Sequence, residues 1–152
     1  MSHLINHEQF IPISLEQAWE FFSNPKNLGK LTPSDIGFEI IYNSSNSMYA
    51  GQIICYKIGI LPFVKIKWVT EITQVVNKVR FVDDQRIGPY KLWHHTHEFR
   101  ETDGGIMMKD SVHYALPYGL LGKIAHLIFV RKKLKQIFDY RKTAVEELFG
   151  SR

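Results

Sequence analysis

The sequence predicts an α+β fold: a strongly curved seven-stranded antiparallel sheet wrapped around a long C-terminal helix, with two short helices between strands 1 and 2. Three observations lead there. Between Ile36 and Tyr114, short apolar-rich runs are separated by turn residues, as in strands that pair with their sequence neighbours. After Pro117 the apolar spacing changes to that of a helix and keeps it almost to the end. With 152 residues, 45% of them hydrophobic and 22% charged, the chain suffices for one core, and 1–152 reads as a single domain.

His3 to Pro12 alternates loosely and closes on proline, which suits an edge strand. Ser14 is an N-cap with Gln17 three residues on, and Ala18, Trp19, Phe21 and Phe22 form an apolar stripe behind it. Asn24-Pro25 stops this helix and opens a second one, Pro25 to Leu31, which Thr32-Pro33 ends. Six strands follow: Ile36–Asn43, Gln52–Ile60, Lys65–Val75, Lys78–Ile87, Leu92–Glu101 and Ile106–Ala115. The links between them, such as Val76-Asn77, Gly88-Pro89 and Asp103-Gly104, are too short for anything but antiparallel neighbours. Leu121, Ile124, Leu127, Ile128, Leu134, Ile137, Phe138, Val145 and Leu148 then mark one face of a single helix of about 25–30 residues. Its opening, Tyr118 to Gly122, contains two glycines and forms a gate together with Leu61-Pro62-Phe63.

A curved sheet and a straight helix do not close flush, so a cavity is expected between them. Ten Phe, seven Tyr and three Trp are more rings than a core of this size needs, and some are expected to line it. The single cysteine, Cys55, excludes an internal disulfide and any multi-cysteine metal site, and it reads as a small buried hydrophobe. Met1 to Phe10 lacks the apolar stretch of a secretory signal, so a cytoplasmic location is the expectation. Seven basic residues face three acidic ones between Gly119 and Phe149, which matches the whole-chain excess of +4. This is the pattern of a solvated basic helix face, open to transient contact with anionic membrane. It lacks the interleaved aromatics of a nucleic-acid groove, so no nucleic-acid partner is expected.

Ser14-x-Glu16-x-Ala18-Trp19-x-Phe21-Phe22-Ser23-Asn24-Pro25-x-Asn27-Leu28 resembles the opening of a small bacterial subgroup of the SRPBCC, or START-like, superfamily. Further along, Phe81-Val82-Asp83-Asp84-Gln85-x-x-Gly88-Pro89-Tyr90-x-x-Trp93-x-His95-x-His97-x-Phe99 resembles the same subgroup. So do Asp110-x-Val112-x-Tyr114-x-Leu116-Pro117 and Ile137-Phe138-x-Tyr140-Arg141. The superfamily has the helix-grip fold and includes the birch pollen allergen, lipid-transfer domains and polyketide cyclases. The resemblance implies a cavity for a small hydrophobic or amphipathic ligand such as a lipid, a polyketide or another aromatic metabolite. It names no ligand and no activity.

If Asp103-Gly104 is a two-residue hairpin loop, Phe99 lies opposite Met108, His97 opposite Asp110, His95 opposite Val112 and Trp93 opposite Tyr114. These eight residues share one face, and its apolar members make it the inner one. On the preceding strand Phe81 is chosen as inward, which brings Asp83 and Gln85 with it; Asp83 would then need a partner, for which Arg141 is a candidate. Tyr56, Trp68 and Phe138 complete the expected ligand-binding set. A His97–Asp110 pair can satisfy itself while orienting a ligand or pinning the sheet. Alternatively, it can serve as an acid–base dyad for a cyclase-, dehydratase- or isomerase-like proton transfer. His95-x-His97 with Asp110 has the composition of a two-histidine, one-carboxylate metal site but no third strong ligand, so no metal is assigned. With no phosphate loop, dinucleotide fingerprint or nucleophile elbow in the chain, no cofactor is expected.

Overall fold

The computed structural model describes residues 2–61 and 64–151. Strand β1 (His3–Ile11) leads into helix α1 (Leu15–Phe22), then 3-10 turns at Pro25–Leu31 and Ser34–Ile36. Six strands follow: β2 (Glu39–Asn43), β3 (Gln52–Leu61), β4 (Val64–Val76), β5 (Arg80–Ile87), β6 (Leu92–Thr102) and β7 (Gly105–Ala115). The chain ends in α2 (Gly119–Ala125), a π-helical segment (His126–Val130) and α3 (Arg131–Phe149). The sheet runs β1-β7-β6-β5-β4-β3-β2, antiparallel throughout.

Local chemistry explains the starts and stops. Gln17 N donates to Ser14 Oγ at 3.2 Å while Ser14 N donates to Gln17 Oε1 at 3.0 Å, the reciprocal cap expected for α1. Asn24 Oδ1 accepts from Lys26 N at the next helical turn. The strand expected from Ile36 begins three residues late, because Ser34–Ile36 is a 3-10 turn closed by Gly37 at φ 58°. Lys78, also at φ 59°, belongs to the β4–β5 turn, so β5 starts at Arg80. Of the expected gate, Pro62 and Phe63 lie outside the described residues. Gly122 serves a different end: a Cβ there would stand 2.2 Å from the carbonyl oxygen of Pro117, so glycine lets α2 fold back on that residue.

Bulges at Ile40/Tyr42, Gly59/Leu61, Val69/Thr70 and Ile72/Gln74 interrupt the ladders of β2 to β5. Each adds twist, and together they bend the sheet toward the helices. At one end an apolar core forms from Ile11, Ala18, Phe22, Phe81, Phe99, Ile106, Met108 and Val145. Burying each large apolar side chain there is worth about 1.5–3 kcal/mol. A smaller cluster of Val112, Tyr114, Leu134 and Phe138 holds α3 to β7.

The C-terminal helix departs from the expected single stripe. Leu134, Phe138 and Val145 are buried as expected, whereas Ile124, Leu127, Ile128 and Leu148 are exposed. For Ile124, Leu127 and Ile128 the i→i+5 turns at His126–Val130 are the cause, whereas Leu148 is exposed in the last turn of α3 itself. One extra residue in a turn rotates everything before it by about 100° relative to α3, so the same apolar spacing comes out on the solvent side.

Candidate functional site

The β6–β7 hairpin has the expected register: Trp93 pairs with Tyr114, His95 with Val112, His97 with Asp110 and Phe99 with Met108. The next pairing sets Asp83 of β5 opposite His95. Three neighbouring strands therefore deliver Asp83, His95, His97 and Asp110 to one inner patch, and α3 brings Arg141 down onto it. Asp110 Oδ1 accepts a hydrogen bond from His95 Nε2 at 3.0 Å and stands 3.6 Å from Arg141 Nη2. His97 Nδ1 lies 2.8 Å from the same oxygen but out of line for a hydrogen bond, leaving a close ion pair. The other ring nitrogen, His97 Nε2, donates to Asp83 Oδ2 at 2.8 Å, and His95 Nδ1 is 3.5 Å from that oxygen.

Charge balance decides the protonation states. Burial opposes the His97 cation, but its contacts with Asp110 and Asp83 outweigh burial and hold its pKa above the ordinary histidine value. Burial, reinforced by the neighbouring His97 charge, keeps His95 below that value. Burial also works against both carboxylates. Arg141 and the two imidazoles overcome it at Asp110, whose pKa falls well below the usual carboxylate range. The imidazoles and Arg141 do the same more mildly at Asp83. In the state these shifts favour, His97 charged and His95 neutral, two anions meet two cations and the cluster balances.

Between the sheet and α3 lies a cavity of about 370 Å³, reached by Asp83, His95, His97 and Arg141 but not by Asp110. Its wall is aromatic: Tyr56, Trp68, Phe81, Tyr90, Trp93 and Phe138 all reach it. Trp68 Nε1 donates to Thr70 Oγ1 at 3.0 Å, and the Tyr56 hydroxyl meets the same oxygen at 3.0 Å, so these rings are held by their polar ends. Burial raises the pKa of the Tyr56 and Tyr90 phenols, which stay neutral.

No family model matches the sequence, and no curated protein does. Among solved structures, a protein of Chromobacterium violaceum superposes over 98% of both chains with a TM-score of 0.72 at 12% identity. A Thalictrum norcoclaurine synthase point mutant, in complex with a transition-state analogue, matches 97% of this chain and 96% of its own at TM-score 0.67 and 19% identity. Ara h 8.0201 matches 97% and 99% of the two chains at TM-score 0.60 and 16% identity. This chain has the helix-grip fold.

In this helix-grip chain, several residues expected at the cavity are placed elsewhere. Phe99 and Met108 belong to the apolar core, and Val112 packs under α3. Tyr114 sits behind Tyr90 and Trp93, its hydroxyl 2.8 Å from His126 Nε2. Asp110 is screened from the cavity by the two imidazoles. Gln85 clamps the Gly88-Pro89-Tyr90 loop, its side chain donating to Tyr90 O at 2.6 Å and accepting from Tyr90 N at 3.2 Å. Phe81's face is the inner one, as chosen, yet Asp83 finds His97 as its hydrogen-bond partner while Arg141 pairs with Asp110. The ligand-capable atoms of Asp83, His95 and His97 lie within 4.8 Å of one another, but the trio is closed by its own contacts. Tyr90 and Leu134 were missed as lining residues. The spacing of Leu134, Ile137, Phe138 and Arg141 on α3, with Val130 just before it, carried the signal for the latter, since it is one helical face.

Proposed function

We propose that the chain binds a small hydrophobic or amphipathic molecule in the cavity between sheet and α3. One observation carries this reading: the cavity has an aromatic wall and one buried cluster of charge, Lys133 at its lining being paired with Asp35, which is the plan of a site that takes an apolar body and orients one polar group. The body would lie against Trp68, Tyr90, Trp93 and Phe138. The polar group would meet the His95, His97 and Asp83 floor. A norcoclaurine synthase of the same fold has been captured with a transition-state analogue, which supports the cavity as a place for ligands. Native mass spectrometry of the purified protein followed by extraction should return a repeatable small molecule. An empty protein that fails to brighten a hydrophobic dye, with or without Trp93→Ala, overturns the reading.

A specific observation favours a second reading, an enzyme of the cyclase or isomerase kind. His97 lies against both carboxylates and also reaches the cavity, so a ligand carbonyl that displaces Asp83 from His97 Nε2 can take that proton and return it, while the ion pair with Asp110 favours the charged ring. His97→Gln should then keep the bound compound and abolish its conversion. If wild-type protein converts no compound that it binds, the acid–base role is discarded and the cluster is left to orient the ligand.

A further inference from the structure

The segment before α3 presents a surface that the ligand cavity does not use. Tyr118, Leu120, Leu127 and Ile128 are 82%, 72%, 73% and 75% exposed, although each is a side chain that a core would take. Clustered exposure of this kind marks an interaction surface. Along the chain the charge is one-sided: from Ser111 to Phe138 there are five basic residues and no acidic one, and Asp139, which follows and shares the groove, is paired with Lys135. Lys133 and Lys135 are engaged with Asp35 and Asp139, while Arg131 and Lys132 stand exposed one turn beyond the apolar cluster. The same two residues, with Leu127, line an open groove that runs between α3 and the edge strand β1.

From this we infer that the surface docks on an anionic phospholipid bilayer, with Leu120, Leu127 and Ile128 entering the acyl boundary and Arg131 and Lys132 meeting headgroup phosphates. Apolar side chains beside exposed Lys and Arg are the composition of a helix that lies in a membrane interface. A second copy of this chain is a poor occupant, since a two-fold contact would set the same cations against one another. Position adds to the argument. Phe129 and Val130, in the same turn as Leu127 and Ile128, line the cavity, so the docked face adjoins the ligand's space.

Vesicle flotation with the full chain tests the inference independently of any cavity ligand. Binding should be strong on phosphatidylcholine vesicles containing phosphatidylglycerol, weak on phosphatidylcholine alone, and reduced by salt. Leu127→Ser with Ile128→Ser, or Arg131→Glu with Lys132→Glu, should each weaken it about tenfold or more while the unfolding transition and dye uptake by the cavity stay as in wild type. Equal binding to both vesicle types, or none to either, overturns the proposal. Full competition by excess glycerol phosphate also overturns it, because the groove would then take a soluble phosphate. So does self-association abolished by Leu127→Ser without vesicle binding, which would make the face a protein interface. Loss of dye uptake with vesicle binding intact would sink the ligand reading and leave this one standing.

Discussion

The two ends of the inner sheet face solve burial in opposite ways. Around Phe99, Met108, Ile106 and Val145 buried apolar side chains pack directly on one another, and none of these four reaches the cavity. Two residues along the same strands, His97 and Asp110 bring charge inside and the space opens into the cavity. Apolar packing tolerates no gap, because each missing methylene forfeits contacts. A buried charge instead demands partners, and partners reaching in from β5 and α3 hold those elements at a fixed distance. The polar cluster thus belongs to the architecture of the open end, whatever it does to a ligand.

The sharpest way to break this comparison is to truncate one residue at each end. Phe99→Ala and Asp110→Ala should each cost about 3–5 kcal/mol in urea unfolding at neutral pH, the first through a cavity and the second through uncompensated cations. Acid separates them. The folded carboxyl of Asp110 titrates below its unfolded counterpart, so its stabilisation is complete above the ordinary Asp value of about 3.9 and is lost as pH falls through the folded one. The Asp110→Ala penalty should therefore shrink in acid while the Phe99→Ala penalty persists. Equal acid sensitivity would mean that the carboxylate is not held by the cluster.

A second contrast lies along the C-terminal helix. Leu134→Ala should cost about 2–5 kcal/mol, and Leu127→Ser about 0.5 kcal/mol or less, since one side chain is buried and the other is in water. Similar penalties would place the π-helical turn elsewhere. Gln85→Ala should cost about 1 kcal/mol by freeing the Tyr90 backbone, and should speed ligand exchange at the cavity. Subtlest is the protonation pattern. Imidazole NMR should find His97 still charged above pH 6.5 and His95 still neutral below it. The His97 contribution to stability is complete below its unfolded pKa and fades as pH rises through the folded one. His95 acts in the opposite sense, losing stability as pH falls. A single shared titration would mean that the two rings are equivalent.

Much of this was legible in the chain. The Ser14 to Gln17 box, the Asn24-Pro25 stop and the Asp103-Gly104 turn are contacts between near neighbours, and each formed as its residues require. From that turn alone followed His97 opposite Asp110. Gln85 stands at the Gly88-Pro89-Tyr90 loop as its face and position imply, but strand alternation does not say that the Tyr90 backbone takes up its whole amide and leaves none of it for the cavity. Tyr114 and Met108 were misread because facing inward is not the same as reaching the cavity.

The sequence by itself determined the order of elements, the hairpin register and the face on which the histidines stand, since periodicity and turn chemistry act over a few residues. Only the tertiary structure decided that Asp83 bonds to His97 while Arg141 pairs with Asp110, that Tyr90 closes the wall and that the residues before α3 point outward. Those outcomes depend on the bulges that curve β2 to β5 and on one extra residue in a helical turn. Both are small local departures whose effect grows with distance, and no pattern of apolar spacing records them.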